Sequence, residues 1–181
     1  IQTASNNATL TNCTVNGAKL SGVYLSNVSN TTLTGCTITN VDNDNNGTEA
    51  AVWINSSPST NVSNSTNLMG DNYVIYATAS SNLILNNNTW NTYSAATDAE
   101  GFYLSNCGSS QITNNTFNAT HTTIGLVDGI YLANSASCTI TARPVFSTLA
   151  QIVSVSIGLS VRRSINSTDR SSGSVSSASR H

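Results

Sequence analysis

The chain has 181 residues, about one domain in length, and only 8% of them are charged, against ~25% in ordinary globular chains. Asn, Ser and Thr fill the gap, and a net charge of −2 with no basic stripe excludes a nucleic-acid-binding surface. No apolar run approaches the ~18 residues of a membrane span, and hydrophobic residues recur on a register through residues 1–146, which excludes disorder there.

In chain order, the first coil is a remnant: inward Leu10, a corner at Asn12, then Val15. Gly22-Val-Tyr-Leu opens the next, followed by Leu33, Gly35 and Ile38. Ala51-Val-Trp-Ile leads to Val62 and Asn64, and Tyr73-Val-Ile-Tyr to Ile84 and Asn86. Gly101-Phe-Tyr-Leu leads to Ile112, Asn114 and Phe117. Gly129-Ile-Tyr-Leu leads to Ile140, Ala142 and Val145, with Ala142 breaking the Asn/Gly rule. The starts are 29, 22, 28 and 28 residues apart, and the longer steps hold loops at Asp42–Ala50, Ser94–Glu100 and His121–Asp128.

Side chains of a strand alternate between faces. Val23, Val52, Val74, Phe102 and Ile130 therefore share an interior face with Leu25, Ile54, Tyr76, Leu104 and Leu132. No single coil can bury that face, whereas stacked coils form one apolar column. Gly and Asn tolerate the left-handed backbone that a sharp corner needs. The expected fold is all-β: a right-handed, single-stranded parallel β-helix of about six coils over residues 1–146.

Segments such as Gly22-Val-Tyr-Leu-Ser-Asn-Val-Ser-Asn-Thr-Thr-Leu-Thr-Gly-Cys-Thr-Ile and Gly101-Phe-Tyr-Leu-Ser-Asn-Cys-Gly-Ser-Ser-Gln-Ile-Thr-Asn-Asn-Thr-Phe resemble parallel-β-helix repeats. Such repeats occur in NosD-like proteins, microbial surface proteins, pectin-active enzymes and phage tailspikes. The resemblance covers about residues 5–146 and implies the fold, while one architecture hosts many activities.

After Phe146 the register is expected to stop. Residues 147–163 form a cap or a strand donated to a neighbouring subunit, with Val153, Val155, Ile157, Leu159 and Val161 alternating onto one face. Residues 164–181 are a Ser/Arg-rich tail. The body to residue 146 carries −5 and the remainder +3, a distribution suited to head-to-tail assembly.

Four acids, Glu49, Asp71, Glu100 and Asp128, precede coil starts and should gather at one corner, as polar turn residues or a Ca²⁺ site. Asp128-Gly-Ile resembles a fragment of the polygalacturonase motif, but that family's Asp pair and its His and Lys partners are missing. Lys19, His121 and Arg143 lie far apart in the register, so neither a lyase nor a Ser-His-Asp site can be assembled. No enzymatic activity and no further cofactor are expected.

Tyr24, Trp53, Tyr103 and Tyr131 point outward, with Ile75 completing their column, as a subunit contact, a surface covered by the chain's own loops, or a sugar-stacking face. Thr-x-Thr triplets at Thr9–Thr11, Thr32–Thr34 and Thr139–Thr141 resemble an ice-binding array, interrupted at Asn61/Ser63, Leu83/Leu85 and Gln111/Thr113. Cys13 and Cys36 share a slot in adjacent coils, as a disulfide or stacked thiols, whereas Cys107 and Cys138 are not direct stack partners.

The chain opens at Ile1 without a signal peptide, as a processed product would. Asn-x-Ser/Thr triplets at Asn7, Asn27, Asn30, Asn46, Asn55, Asn61 and Asn118 fit a secreted glycoprotein. The function expected is an extracellular or cell-surface structural protein that self-associates into a filament or sheath. The alternatives are a module that binds or degrades carbohydrate and an ice-binding protein.

Overall fold

The computed structural model describes residues 1–3, 5–39, 41, 50–70, 73–92, 99–119, 127–141 and 151–155. Every described element is a strand, and every pairing is parallel. The first sheet stacks β1 (Gln2–Thr3), β4 (Val23–Ser26), β7 (Ala50–Asn55), β10 (Tyr73–Thr78), β13 (Ala99–Ser105), β16 (Val127–Ala133) and β18 (Gln151–Val155). The second stacks β2 (Thr9–Thr11), β5 (Thr32–Thr34), β8 (Asn61–Ser63), β11 (Ile84–Asn86), β14 (Gln111–Thr113) and β17 (Thr139–Thr141). The third stacks β3 (Thr14–Asn16), β6 (Thr37–Thr39), β9 (Thr66–Gly70), β12 (Thr89–Thr92) and β15 (Thr116–Ala119). A full coil contributes one strand to each sheet, making a three-sided β-solenoid. Among the described residues five coils carry all three strands and a further one contributes β16 and β17, against about six coils expected.

The bore is filled by columns that run along the stack. Val23, Val52, Ile75, Phe102 and Ile130 form one; Leu25, Ile54, Ala77, Leu104 and Leu132 form the next. Leu33, Val62, Leu85, Ile112 and Ile140 come from the second sheet, and Ile38, Leu68 and Trp90 from the third; all are buried.

In the coil that begins at Tyr73 the expected register is displaced by one residue. Val74 is buried as expected, but Ile75 takes the place opposite Val52 and Tyr76 points outward opposite Trp53. Tyr-Val-Ile-Tyr is apolar throughout, so alternation alone cannot choose its phase, and a one-residue slip exchanges every side chain between faces. The same ambiguity in Leu83-Ile84-Leu85 hides that Leu85 is the inward residue and Ile84 is 41% exposed. The corner that follows is at Asn87, not Asn86.

The corners obey a rule more general than the Asn/Gly column. A residue with positive φ is followed by one whose side chain enters the bore. After the first sheet the pairs include Asn27–Val28, Ser56–Ser57, Ala79–Ser80, Asn106–Cys107 and Asn134–Ser135. Three residues later come Asn30–Thr31, Ser59–Thr60, Asn82–Leu83, Ser109–Ser110 and Ser137–Cys138. After the second sheet come Asn12–Cys13, Gly35–Cys36, Asn64–Ser65, Asn87–Asn88 and Asn114–Asn115.

These inward residues form hydrogen-bonded ladders. The N–H of Val28 donates to Ser57 Oγ (3.2 Å), that of Ser57 to Ser80 Oγ (2.8 Å), and that of Cys107 to Ser135 Oγ (3.0 Å). In the other ladder the N–H of Cys36 donates to Ser65 Oγ (3.1 Å), that of Ser65 to Asn88 Oδ1 (3.0 Å) and that of Asn88 to Asn115 Oδ1 (3.0 Å). A turn that leaves the sheets must satisfy its backbone donors elsewhere, and here the next coil's side chain does so inside the bore.

The register also does not end at Phe146. β18 adds to β16 within the same chain, with Ile152 opposite Ile130 and Val153 opposite Tyr131. Val155 is opposite Ala133; Ile157, Leu159, Val161 and the tail from residue 164 lie outside the described residues.

Candidate functional site

The outer face of the first sheet carries the largest constellation of functional side chains. Its outward column is Tyr24, Trp53, Tyr76, Tyr103 and Tyr131, unbroken because Tyr76 stands where Ile75 was expected. All five are half-buried. Tyr24 meets Trp53 edge-on at 5.2 Å and Trp53 meets Tyr76 at 90° and 5.6 Å. From there the rings stack face to face: Tyr76–Tyr103 at 5.0 Å and 13°, Tyr103–Tyr131 at 5.0 Å and 7°. Tyr73, beside the column, touches Tyr76 (4.8 Å) and Tyr103 (5.6 Å).

The orientation has a chemical consequence. Rings that stack along the solenoid axis spend their faces on one another and turn their rims outward. A pyranose that stacks on a protein needs an open face, so this half of the ladder is poorly suited to it.

Of the four acids, Glu100 and Asp128 are backbone partners in adjacent strands, in the same column as Tyr73. Glu49 and Asp71 lie outside the described residues, as do His121 and Arg143. Among the described residues no three His, Cys, Asp or Glu side chains gather to hold a metal. No described helix is long and apolar enough to cross a membrane.

All four cysteines follow a positive-φ residue and occupy bore-facing corner slots that Ser, Thr, Asn, Val or Leu fill in other coils. This common role was invisible in their sequence spacings, because it spans three corner columns. They are present as thiols. Cys107 and Cys138, in different columns, nevertheless touch: the Cys138 thiol donates to the Cys107 carbonyl at 3.4 Å. The Cys107 thiol donates to Ser105 O at 3.2 Å.

Burial pushes the Cys107 thiol up to about 11, against the N–H it receives from Ser80, and it raises Cys36 and Cys138 as well. A thiol whose folded pKa exceeds its unfolded value stabilises the fold fully below that unfolded value, near 9. The contribution is lost as pH rises towards the folded pKa, because the unfolded chain ionises first. Urea midpoints should therefore fall between pH 8 and pH 10.5. Cys107→Ser, which keeps the ladder bond but cannot ionise, should lessen that fall by about 2 kcal/mol. Equal pH dependence in both proteins would refute the assignment.

The glycosylation triplets acquire a structural origin. A corner reads as positive-φ Asn, an inward residue, then Thr opening a strand, which writes Asn-x-Thr at Asn12, Asn64, Asn87 and Asn114. Asn7, Asn27 and Asn30 are exposed, and Asn30 Nδ2 donates to Asn7 Oδ1 at 3.3 Å. Asn55 and Asn61 are half-buried, and Asn55 Oδ1 accepts from Thr78 at 3.1 Å. Asn46 lies outside the described residues, and Asn118 is described only as part of β15.

The second sheet's hydroxyl array is interrupted at Ile84/Asn86, not at Leu83/Leu85, both of which are buried. A Thr column missed in the sequence, Thr14, Thr37, Thr66, Thr89 and Thr116, runs unbroken along the third sheet. Its neighbours Asn16, Thr39, Met69 and Asn91 vary, so the face carries one Thr row, not a lattice.

Comparison with curated proteins finds no match. The family described as right handed beta helix region matches residues 1–163, well beyond half of the chain. That span includes β18, in keeping with its pairing on the first sheet. The chain belongs to the right-handed β-helix family, whose fold serves enzymes and non-enzymes alike.

Proposed function

We propose that this protein is a structural β-helix of the cell surface or extracellular space that assembles end to end into a filament or sheath. The observation that carries this reading is the outward ladder of the first sheet: Tyr24, Trp53, Tyr76, Tyr103 and Tyr131 form one continuous half-buried aromatic column, a surface that monomers seldom leave uncovered and that suits a subunit contact. The acidic body and basic C-terminal segment favour a head-to-tail order. The outward ring rims of the ladder suit lateral contact with protein better than stacking on sugar.

Sedimentation velocity over rising concentration tests the reading. Wild-type protein should form higher-order species, and Tyr103→Ser or Tyr131→Ser should abolish them while leaving the circular dichroism melt in place. Wild-type protein that stays monomeric at high concentration, or ladder variants that assemble unchanged, would overturn it.

A further inference from the structure

We propose that Cys13 and Cys36 are an oxidation site, forming an intramolecular disulfide that staples the first coil to the second. Thr14 and Thr37 are backbone partners, and the Thr37 N–H donates to the Cys13 carbonyl at 2.8 Å, so the two cysteines are stacked neighbours. Neighbouring strands lie ~4.8 Å apart, inside the ~4.4–6.8 Å range of Cα separations that a disulfide spans. Both cysteines follow a left-handed residue, Asn12 (φ 52°) and Gly35 (φ 65°), which sends both side chains from the corner towards the same bore.

The hydrogen bonds that the two thiols donate are long: Cys13 to Thr11 O at 3.7 Å, and Cys36 to Leu10 O and Thr34 O at 3.7 Å each. Access is also selective. Cys13 is half-buried, whereas Cys36, Cys107 and Cys138 are at most 1% exposed. Cys107 and Cys138 stand in different corner columns, so their Cα atoms are not register partners.

The reaction needs a disulfide oxidant, such as oxidised glutathione. The Cys13 thiolate attacks one sulfur of that disulfide and expels a thiolate, leaving a mixed disulfide. Cys36 then loses its proton to solvent, attacks the Cys13 sulfur and expels the second thiolate. Two protein thiols are oxidised and one oxidant disulfide is reduced to two thiols. The bond closes a loop of about 24 residues around the least enclosed coil and restrains its fraying. It does not depend on whether the protein self-assembles.

The test uses the full chain incubated with oxidised glutathione, quenched in acid, and alkylated after denaturation. Two of the four thiols should resist alkylation, with peptide mapping joining residue 13 to residue 36 and dithiothreitol restoring all four. Hydrogen exchange at Thr9–Asn16 should slow roughly tenfold on oxidation and recover on reduction. A Cys107→Ser/Cys138→Ser variant should behave like wild type, and Cys36→Ser should stop at a glutathione adduct on Cys13. Four alkylated thiols, a glutathione adduct alone in the wild-type chain, or a cross-link through Cys107 or Cys138 would overturn the proposal.

Discussion

Gly101→Ala should destabilise the protein by about 3 kcal/mol, lowering Tm by roughly 6–12 °C for a chain of this size. Gly101 is buried in the bore-facing corner column that also holds Gly22, Ala51 and Val74. Its missing side chain is the space that Trp90 occupies: a Cβ there would collide with the Trp90 ring and the Gly129 carbonyl oxygen. Trp90 cannot yield, because it is 1% exposed and stacked on Phe102 at 4.3 Å and 15°. The large residue of one coil and the absent one of the next are a matched pair. Gly108→Ala is the control, since its nearest neighbour, Ala136 O, would be 3.2 Å away, and it should cost under about 1 kcal/mol. Adding Trp90→Leu to Gly101→Ala should recover part of the loss. Equal melting temperatures for Gly101→Ala and wild type would refute the packing account.

Asn88→Ala should cost about 2–4 kcal/mol, although it removes no apolar surface. Asn88 is 1% exposed, and its amide carries the centre of a ladder. Oδ1 accepts the Ser65 N–H at 3.0 Å, while Nδ2 donates to Val62 O at 2.9 Å and Asn115 Oδ1 at 3.0 Å. Alanine would leave the buried Ser65 N–H without its acceptor and remove the amide's bonds to Val62 O and Asn115 Oδ1. Asn87→Gly, one residue earlier, should be close to neutral because its φ of 54° is one that glycine adopts freely. Denaturant midpoints for the pair measure the ladder directly. A near-neutral Asn88→Ala would show that the ladder contributes shape and not stability.

These two positions mark what could be read in advance. Trp90 and Asn88 both escaped the sequence reading. Trp90 sits in a short strand without a repeated motif, and a buried Asn looks like any other in a chain rich in Asn. The aromatic ladder was legible at Tyr24, Trp53, Tyr103 and Tyr131, since each lies between two obligatory apolar positions. Tyr76 was not, because its neighbours are apolar on both sides and alternation has no contrast there. The acidic corner was legible only as a coincidence of offsets, and the structure describes Glu100 and Asp128 as backbone partners.

The sequence by itself determined a parallel solenoid with named inward columns. Stacking makes each coil repeat the same in–out pattern, and a pattern repeated five times survives local ambiguity. The tertiary structure decided the phase of the Tyr73 coil and the common corner role of the four cysteines. It also decided the pairing of Gln151–Val155 with β16. Each depends on which backbone groups meet across coils, 21 to 31 residues apart in the hydrogen bonds that join them. No local pattern records that distance.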